Sequence, residues 1–367
     1  MPLSEEDKSP IEMPLHVMAV AKGGTRREWM SKAAFLLCAG VWYRHQETAD
    51  EIIPPEDAGP LGLTDWRLRE RESLLDVGAD LLGASLAAGP ESLGSLVATA
   101  YETRRTRDLL RSVLAGLTHP DLLVRACALR SALDMVPHLR HAIVRELVDV
   151  DFSADETAAT IASMALAPVM PVSGSAAPPV SGGPPASLLA RHLVLVHGTN
   201  FPPGRPVWSV PKSGPLFNYI EPYRPDIYGS ADYFRWEGGY SDYAREVASY
   251  NLDDWFQRRG MQGSDVVTHS HGGNVLMAAT QLGASFDRVL FLSCPVRWRQ
   301  YQPALNSIAR PQSVRIRLDF VILADRSAQR FPRGTIPERI LPIWFIGHGT
   351  THEPDTWRRQ KLLDYLV

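Results

Sequence analysis

The sequence predicts two domains of different class: an all-helical domain over residues 1–167, and an α/β domain over 188–367 built on a mostly parallel, doubly wound sheet. Three observations carry this. Before residue 168, apolar residues recur at three- and four-residue spacing, as in Leu74, Leu75, Val77, Leu81, Leu82 and in Leu109, Leu110, Val113, Leu114, Leu117, the period of a helix with one buried face. After residue 187 the pattern changes to short, near-continuous apolar runs between helical or loop segments, which is how strands covered on both faces read. Between the two, 13 of the 20 residues 168–187 are Pro, Gly or Ser, and none is charged, the composition of a flexible linker.

Within the helical half, His119-Pro120-Asp121-Leu122-Leu123-Val124-Arg125-Ala126-Cys127-Ala128-Leu129 has a turn, a capping Asp and a helix with small residues on its packing side. The run resembles the turn and second helix of a HEAT repeat. A weaker copy follows, with Leu147 matching Val113, Asp155 matching Asp121 and Ala162 matching Ala128. Two units fit a HEAT-like stack or a plain helical bundle. No catalytic constellation is visible before the linker, and a partner-binding or positioning role is the expectation for this half.

In the second half, six apolar runs are candidate strands: 193–196, 233–236, 266–267, 289–292, 316–323 and 341–346. A parallel sheet places its chemistry at the carboxyl ends of its strands. The polar residues there are therefore the candidates. In Asp265-Val266-Val267-Thr268-His269-Ser270-His271-Gly272-Gly273 a strand, a tight turn with a serine at its apex and a helix follow one another, the context of the G-x-S-x-G motif. Gly272 meets the demand for a small residue, whereas Thr268 stands where the motif has its first Gly. Upstream, His192-Leu193-Val194-Leu195-Val196-His197-Gly198-Thr199 is an apolar strand ending in His-Gly.

These two segments resemble the α/β-hydrolase fold, and among its members the small bacterial lipases and esterases. The likeness covers residues 188–367 and omits the first two strands of larger members, a minimal version of the fold. By that resemblance the Thr199 and His271 N–H groups form an oxyanion hole. The fold's chain order of nucleophile, acid and base then assigns Ser270 as nucleophile, Asp325 as acid after the strand 314–323, and His348 as base after 341–346. Asp319 is the rival acid. It lies in the same strand, six extended residues or roughly 20 Å from Asp325, so both cannot serve one imidazole; Asp325, at the carboxyl end, is the better placed, and Asp319 reads as a charge partner of Arg315 and Arg317. His352 is the rival base, placed just before a Pro-initiated terminal helix where a capping or packing role suits it.

The implied activity is hydrolysis of carboxylic esters, from small molecules or lipids, through an acyl-enzyme and without a cofactor. Aromatic residues Phe201, Trp208, Phe217, Tyr219, Tyr223 and Tyr228, interleaved with seven prolines, would either wall an acyl pocket or pack on the sheet. Two other readings compete: a degenerate hydrolase scaffold that binds protein partners through the helical half, and a metal hydrolase using His269-x-His271 with His348-x-x-x-His352.

Composition narrows the setting. Lys+Arg 38 against Asp+Glu 41 leaves a net charge of −3, without the basic excess that a nucleic-acid partner demands. The apolar stretch 29–43 contains Lys32 and is too short to span a bilayer, and the first residues lack the positive start of a signal peptide. Three scattered cysteines, Cys38, Cys127 and Cys294, form no CxxC pair. The expectation is a cytoplasmic protein with no transmembrane segment.

Overall fold

The computed structural model describes residues 68, 73–87, 92–147, 149–167, 191–199, 207–317, 319–342 and 347–367. The chain divides into two compact units, Met1–Leu166 and Ala167–Val367. No helix among the described residues is long and apolar enough to cross a membrane.

In the first unit the helices are α1 (Ala79–Ala87), α2 (Leu93–Thr103), α3 (Thr106–Gly116), α4 (Leu122–Met135), α5 (Arg140–Arg145) and α6 (Glu156–Leu166). Their apolar faces form the core: Leu109, Leu110, Val113 and Leu114 of α3 are fully buried, as are Ala126, Ala128 and Leu129 of α4. Leu75 departs from the expected face and is exposed, because it lies in a turn before α1 rather than on a helix. Both aspartates of the proposed repeat cap helices. Asp121 accepts from the Val124 N–H at 3.1 Å, and Asp155 from the Ala158 N–H at 2.8 Å, each satisfying an otherwise orphaned amide of the first turn. The first helices of the two copies differ, however: α3 has 11 residues and α5 only 6, with Leu147 in the turn beyond it.

The second unit is built on a five-stranded, all-parallel sheet of β1 (Leu193–Val196), β2 (Ser264–His269), β3 (Phe286–Leu292), β4 (Ile308–Arg315) and β5 (Glu338–Ile340). Strand order across the sheet is chain order, without the reversal that a doubly wound sheet has between its halves. Both faces are nonetheless covered. Alternate residues of each strand point to opposite sides: Val194, Val196, Val266, Val289 and Phe291 pack with α8 (Asp242–Arg259) and α9 (Gly272–Leu282), and Leu193, Leu195, Val267, Leu290 and Leu292 pack with α7 (Pro215–Ile220) and α11 (Pro354–Gln360). This two-sided burial is why the central strands read as unbroken apolar runs rather than alternating ones.

Three strand assignments are corrected. Residues 233–236 form no strand, although Phe234 and Trp236 are buried against the same core as α8. The run 316–323 is not extended either: β4 ends at Arg315 and α10 (Phe320–Ala324) follows, because the Asp319 carboxylate accepts from the Val321 and Ile322 N–H groups at 3.0 and 3.3 Å and starts a helical turn. An apolar run buried on all sides has no periodicity to separate strand from helix. The last strand, β5, precedes the predicted 341–346; the Leu341 N–H adds one more bond, to the Arg315 carbonyl, and 343–346 lie outside the described residues.

Candidate active site

Ser270 follows the last residue of β2 and has φ +53°, a left-handed conformation that a residue with a side chain adopts only where its surroundings impose it. They do so here from both sides. The Ser270 N–H donates to the Leu292 carbonyl at 2.9 Å, continuing the pairing with β3, and its own carbonyl accepts from the Gly273 N–H at 3.0 Å, which turns the chain into α9. The end of β1 presses against this turn. A Cβ on Gly272 would stand 2.5 Å from the His197 carbonyl oxygen and 2.7 Å from that of Val196; one on Gly198 would stand 2.6 Å from the Ser270 Cβ. The close approach that the motif's first glycine serves elsewhere is therefore supplied by Gly198 and Gly272, and Thr268 sits within β2, paired with Val196 and Phe291.

His197 is buried and orients the end of β1. Its Nδ1 bonds the Gly198 carbonyl at 2.8 Å, its ring stacks on Trp236, and the Trp236 indole N–H donates to the His197 carbonyl at 2.8 Å. Burial pushes its pKa down to about 4, so the ring is neutral near pH 7. Thr199, two residues after His197, and His271, after Ser270, both have backbone N–H groups with no backbone acceptor among the described residues.

His348 opens the short 3-10 helix His348–His352, after Gly347 with φ +103°. Its Nδ1–H donates to Asp319 Oδ2 at 2.8 Å, while its Nε2 is buried with no hydrogen-bond partner among the described residues. Two contacts hold this loop against the end of the sheet. The ring of His269, immediately before Ser270, donates from Nε2 to the His348 carbonyl at 2.8 Å, and the Thr351 hydroxyl donates to Ser293 Oγ at 3.1 Å just past β3. The rings of His269 and His348 are 4.6 Å apart between centroids.

The carboxylate beside His348 is thus Asp319, not Asp325. With β4 ending at Arg315, Asp319 is the carboxylate at the strand's carboxyl end, and Arg315 pairs with Glu338 at 2.9 Å rather than with Asp319. Asp319 is 1% exposed and divides its oxygens: Oδ1 caps α10 and Oδ2 takes His348. Asp325, at the far end of α10, faces a different set of donors: His271 Nε2 at 3.2 Å, Arg297 Nη2 at 2.8 Å, the Tyr240 hydroxyl at 2.6 Å and the Ser327 hydroxyl. Burial alone would raise its pKa, but His271 and Arg297 outweigh that and hold it well below the usual carboxylate range.

His352, the rival base, is a packing residue. It stacks on Trp208 at 5.3 Å and meets His269 edge-on at 4.5 Å; burial first, and then the neighbouring His348, push its pKa down to about 3. His269 is likewise held well below its ordinary value, by burial and then by His352 and His348. No cluster of three or more His, Cys, Asp or Glu suited to a metal ion occurs among the described residues. Of the aromatic segment, Trp208 and Phe217 are core residues beneath the sheet, Tyr228 packs edge-on to Trp255, Tyr223 is exposed, and Phe201 lies outside the described residues.

Sequence reasoning overlooked Arg297 and Tyr240, which donate to the Asp325 carboxylate, Asn274, which donates to His271, and Gln329, whose side-chain oxygen accepts from the Asp319 backbone N–H. A signal existed for Asp319 itself, since an Asp immediately before an uncharged apolar run is a helix-start pattern. Comparison with protein families, with characterised proteins and with solved structures finds no match for this chain.

Proposed function

We propose that the second unit is a minimal α/β-hydrolase-type domain and a serine hydrolase of carboxylic esters, working through an acyl-enzyme on Ser270, with His348 as base and Asp319 as its carboxylate. The observation that carries the reading is the His348 Nδ1–Asp319 Oδ2 hydrogen bond of 2.8 Å, which leaves a buried Nε2 without a partner among the described residues, on a ring 4.6 Å from that of His269, the last residue of β2 before Ser270. A serine hydroxyl is a weak nucleophile near pH 7 unless a base takes its proton, and the imidazole must have its other nitrogen protonated to do so. Asp319 fixes that tautomer.

In the reaction the Ser270 Oγ forms a bond to the ester carbonyl carbon as His348 Nε2 takes its proton. Charge gathers on the carbonyl oxygen, where the Thr199 and His271 N–H groups, which have no backbone acceptor among the described residues, donate. The C–O bond to the leaving alcohol breaks, and the imidazolium returns its proton to that oxygen. Water, deprotonated by the same nitrogen, then releases the acid and restores Ser270. No bond between Ser270 Oγ and His348 Nε2 is formed in the free protein, in keeping with catalytic contacts that close on substrate binding. We assign the first unit a partner-binding or positioning role.

The test is labelling by a fluorophosphonate probe together with turnover of a series of short and long acyl esters. Wild-type protein is expected to label and turn over, and Ser270→Ala to do neither while keeping its melting temperature. Turnover by Ser270→Ala, or activity abolished by a chelator instead, overturns the serine mechanism.

A further inference from the structure

We infer that Asp325 is a positioning residue for the oxyanion site, fixing through His271 the backbone amide that follows Ser270. The inference rests on the serine-hydrolase reading above and concerns a carboxylate which that mechanism does not use. Asp325 is 2% exposed and gathers donors from four segments at the carboxyl end of the sheet. Tyr240 comes from the loop before α8, His271 from the turn into α9, Arg297 from the chain after β3, and Ser327 from the chain after α10.

The protonation of His271 follows from its partners. Its Nδ1 accepts from the Asn274 side-chain amide at 2.9 Å, so the proton is on Nε2, which donates to Asp325 Oδ1 at 3.2 Å. Both ring nitrogens are engaged and the ring cannot shuttle protons. What the ring can do is hold its own backbone. His271 stands at the N-cap of α9 with φ −62° and ψ −12°, and its N–H has no backbone acceptor among the described residues, which leaves it for a developing oxyanion. The Tyr240 ring lies edge-on to the imidazole at 5.6 Å and closes its other side. A plain ion pair between the β3 and α10 segments would need only Arg297 and Asp325. The additional donors direct the same carboxylate onto the residue beside the nucleophile, while Arg297 keeps it charged and able to accept.

The experiment measures kcat, KM, melting temperature and affinity for a trifluoromethyl ketone in His271→Leu, His271→Gln, Asp325→Asn and the Leu/Asn double variant, with Ser270→Ala alongside. Loss of one oxyanion donor costs about 10²–10³ in kcat, so a displaced donor in His271→Leu is expected to cost about 10–10² with KM within twofold. The ketone, which forms the tetrahedral adduct, loses affinity by the same factor. His271→Gln, whose amide can still donate to Asp325, recovers most of kcat, and the double variant is no slower than the slower single one because both changes release the same amide.

Unchanged kcat in folded His271→Leu, or losses that multiply in the double variant, overturn the inference. Should His271→Leu fail to fold, Tyr240→Phe decides instead: removal of one of the donors to Asp325 is expected to lower kcat about threefold at unchanged KM, and no change overturns the inference. Turnover surviving in Ser270→Ala overturns the hydrolase reading and this inference with it. An inert Ser270→Ala beside a fully active His271→Leu overturns this inference alone.

Discussion

Replacing Asp319 by Asn separates catalysis from stability, because the two oxygens of Asp319 have different tasks. Oδ1 accepts from the Val321 and Ile322 N–H groups at the start of α10, and Oδ2 accepts from His348 Nδ1. In the variant the amide oxygen must stay with the helix, since an NH2 group cannot accept from two backbone N–H groups. The NH2 therefore faces His348 Nδ1 and turns it into an acceptor. The proton moves to Nε2, the nitrogen that has to receive the Ser270 proton, and the base is in the wrong tautomer. The corresponding change in a Ser-His-Asp site lowers kcat about 10⁴-fold, equivalent to about 5 kcal/mol of transition-state stabilisation. Stability should barely move, because Asn caps a helix about as well as Asp, and a few tenths of a kcal/mol shift the melting temperature of a unit this size by about 1 °C. Asp325→Asn should behave in the opposite way: it leaves Arg297 without its buried partner, which costs about 3–5 kcal/mol and about 10 °C of melting temperature, while turnover falls by no more than about 10². Ester turnover and thermal melts of both variants decide the matter. A collapse of about 10⁴ in Asp325→Asn with Asp319→Asn within tenfold of wild type would refute this assignment of the acid.

Gly198→Ala places a Cβ 2.6 Å from the Ser270 Cβ and 2.7 Å from the His269 carbonyl oxygen; overpacking of this kind costs about 1–3 kcal/mol, and displacement of the nucleophile should lower turnover by about 10², both read from one melt and one kinetic series, with wild-type values in both arguing against the close approach. The same strain and the same loss are expected in Gly272→Ala, whose Cβ would meet the His197 and Val196 carbonyl oxygens. Acid should destabilise the second unit well before its carboxylates titrate. Burial holds His197 and His271 at about 4 and His352 at about 3, so the folded state binds fewer protons than the unfolded one below the unfolded histidine value near 6.5. Their contribution is complete above that pH and is lost as pH falls toward 4, at about 1.4 kcal/mol per pH unit for each histidine. A melting temperature that is level from pH 8 to 7 and falls steeply below 6 is expected; one at pH 5 within 2 °C of that at pH 7 would contradict it.

Central strands and the serine turn were legible because their signals are local. Leu193–Val196 and Val289–Leu292 are short apolar runs bounded by polar or turn residues, and they lie within β1 and β3. The edges of the sheet were harder. β5 is the three residues Glu338, Arg339 and Ile340, half-buried on one side of a pair, with no apolar run to announce it. Residues 233–236 have the apolar content of a strand, yet they lie against α8 and join no ladder. Aromatic content between Val207 and Asp232 likewise says that the segment is buried, and not whether it is buried against substrate or against the sheet: Trp208 and Phe217 belong to the core beneath β1 and β2.

The carboxylate beside His348 illustrates how a local ambiguity carries into the reading of a site. Ser270 and His348 each follow a motif whose glycines mark a turn, so their places at the sheet's end do not depend on where any strand stops. The carboxylate depends on it entirely. If residues 314–323 are extended, Asp325 stands at the strand's end and Asp319 is about 20 Å behind it; if β4 stops at Arg315, Asp319 is at the end and Asp325 lies a helical turn beyond. Phe320, Val321, Ile322, Leu323 and Ala324 are all buried, and a run buried on every side has no period from which to choose. Asp319 makes the choice, because its carboxylate satisfies the amides that a helix leaves open and a strand would spend on a neighbour. The oxygen that starts the helix thereby sets the other oxygen beside His348, so that a single side chain fixes both the end of β4 and the carboxylate that faces the imidazole.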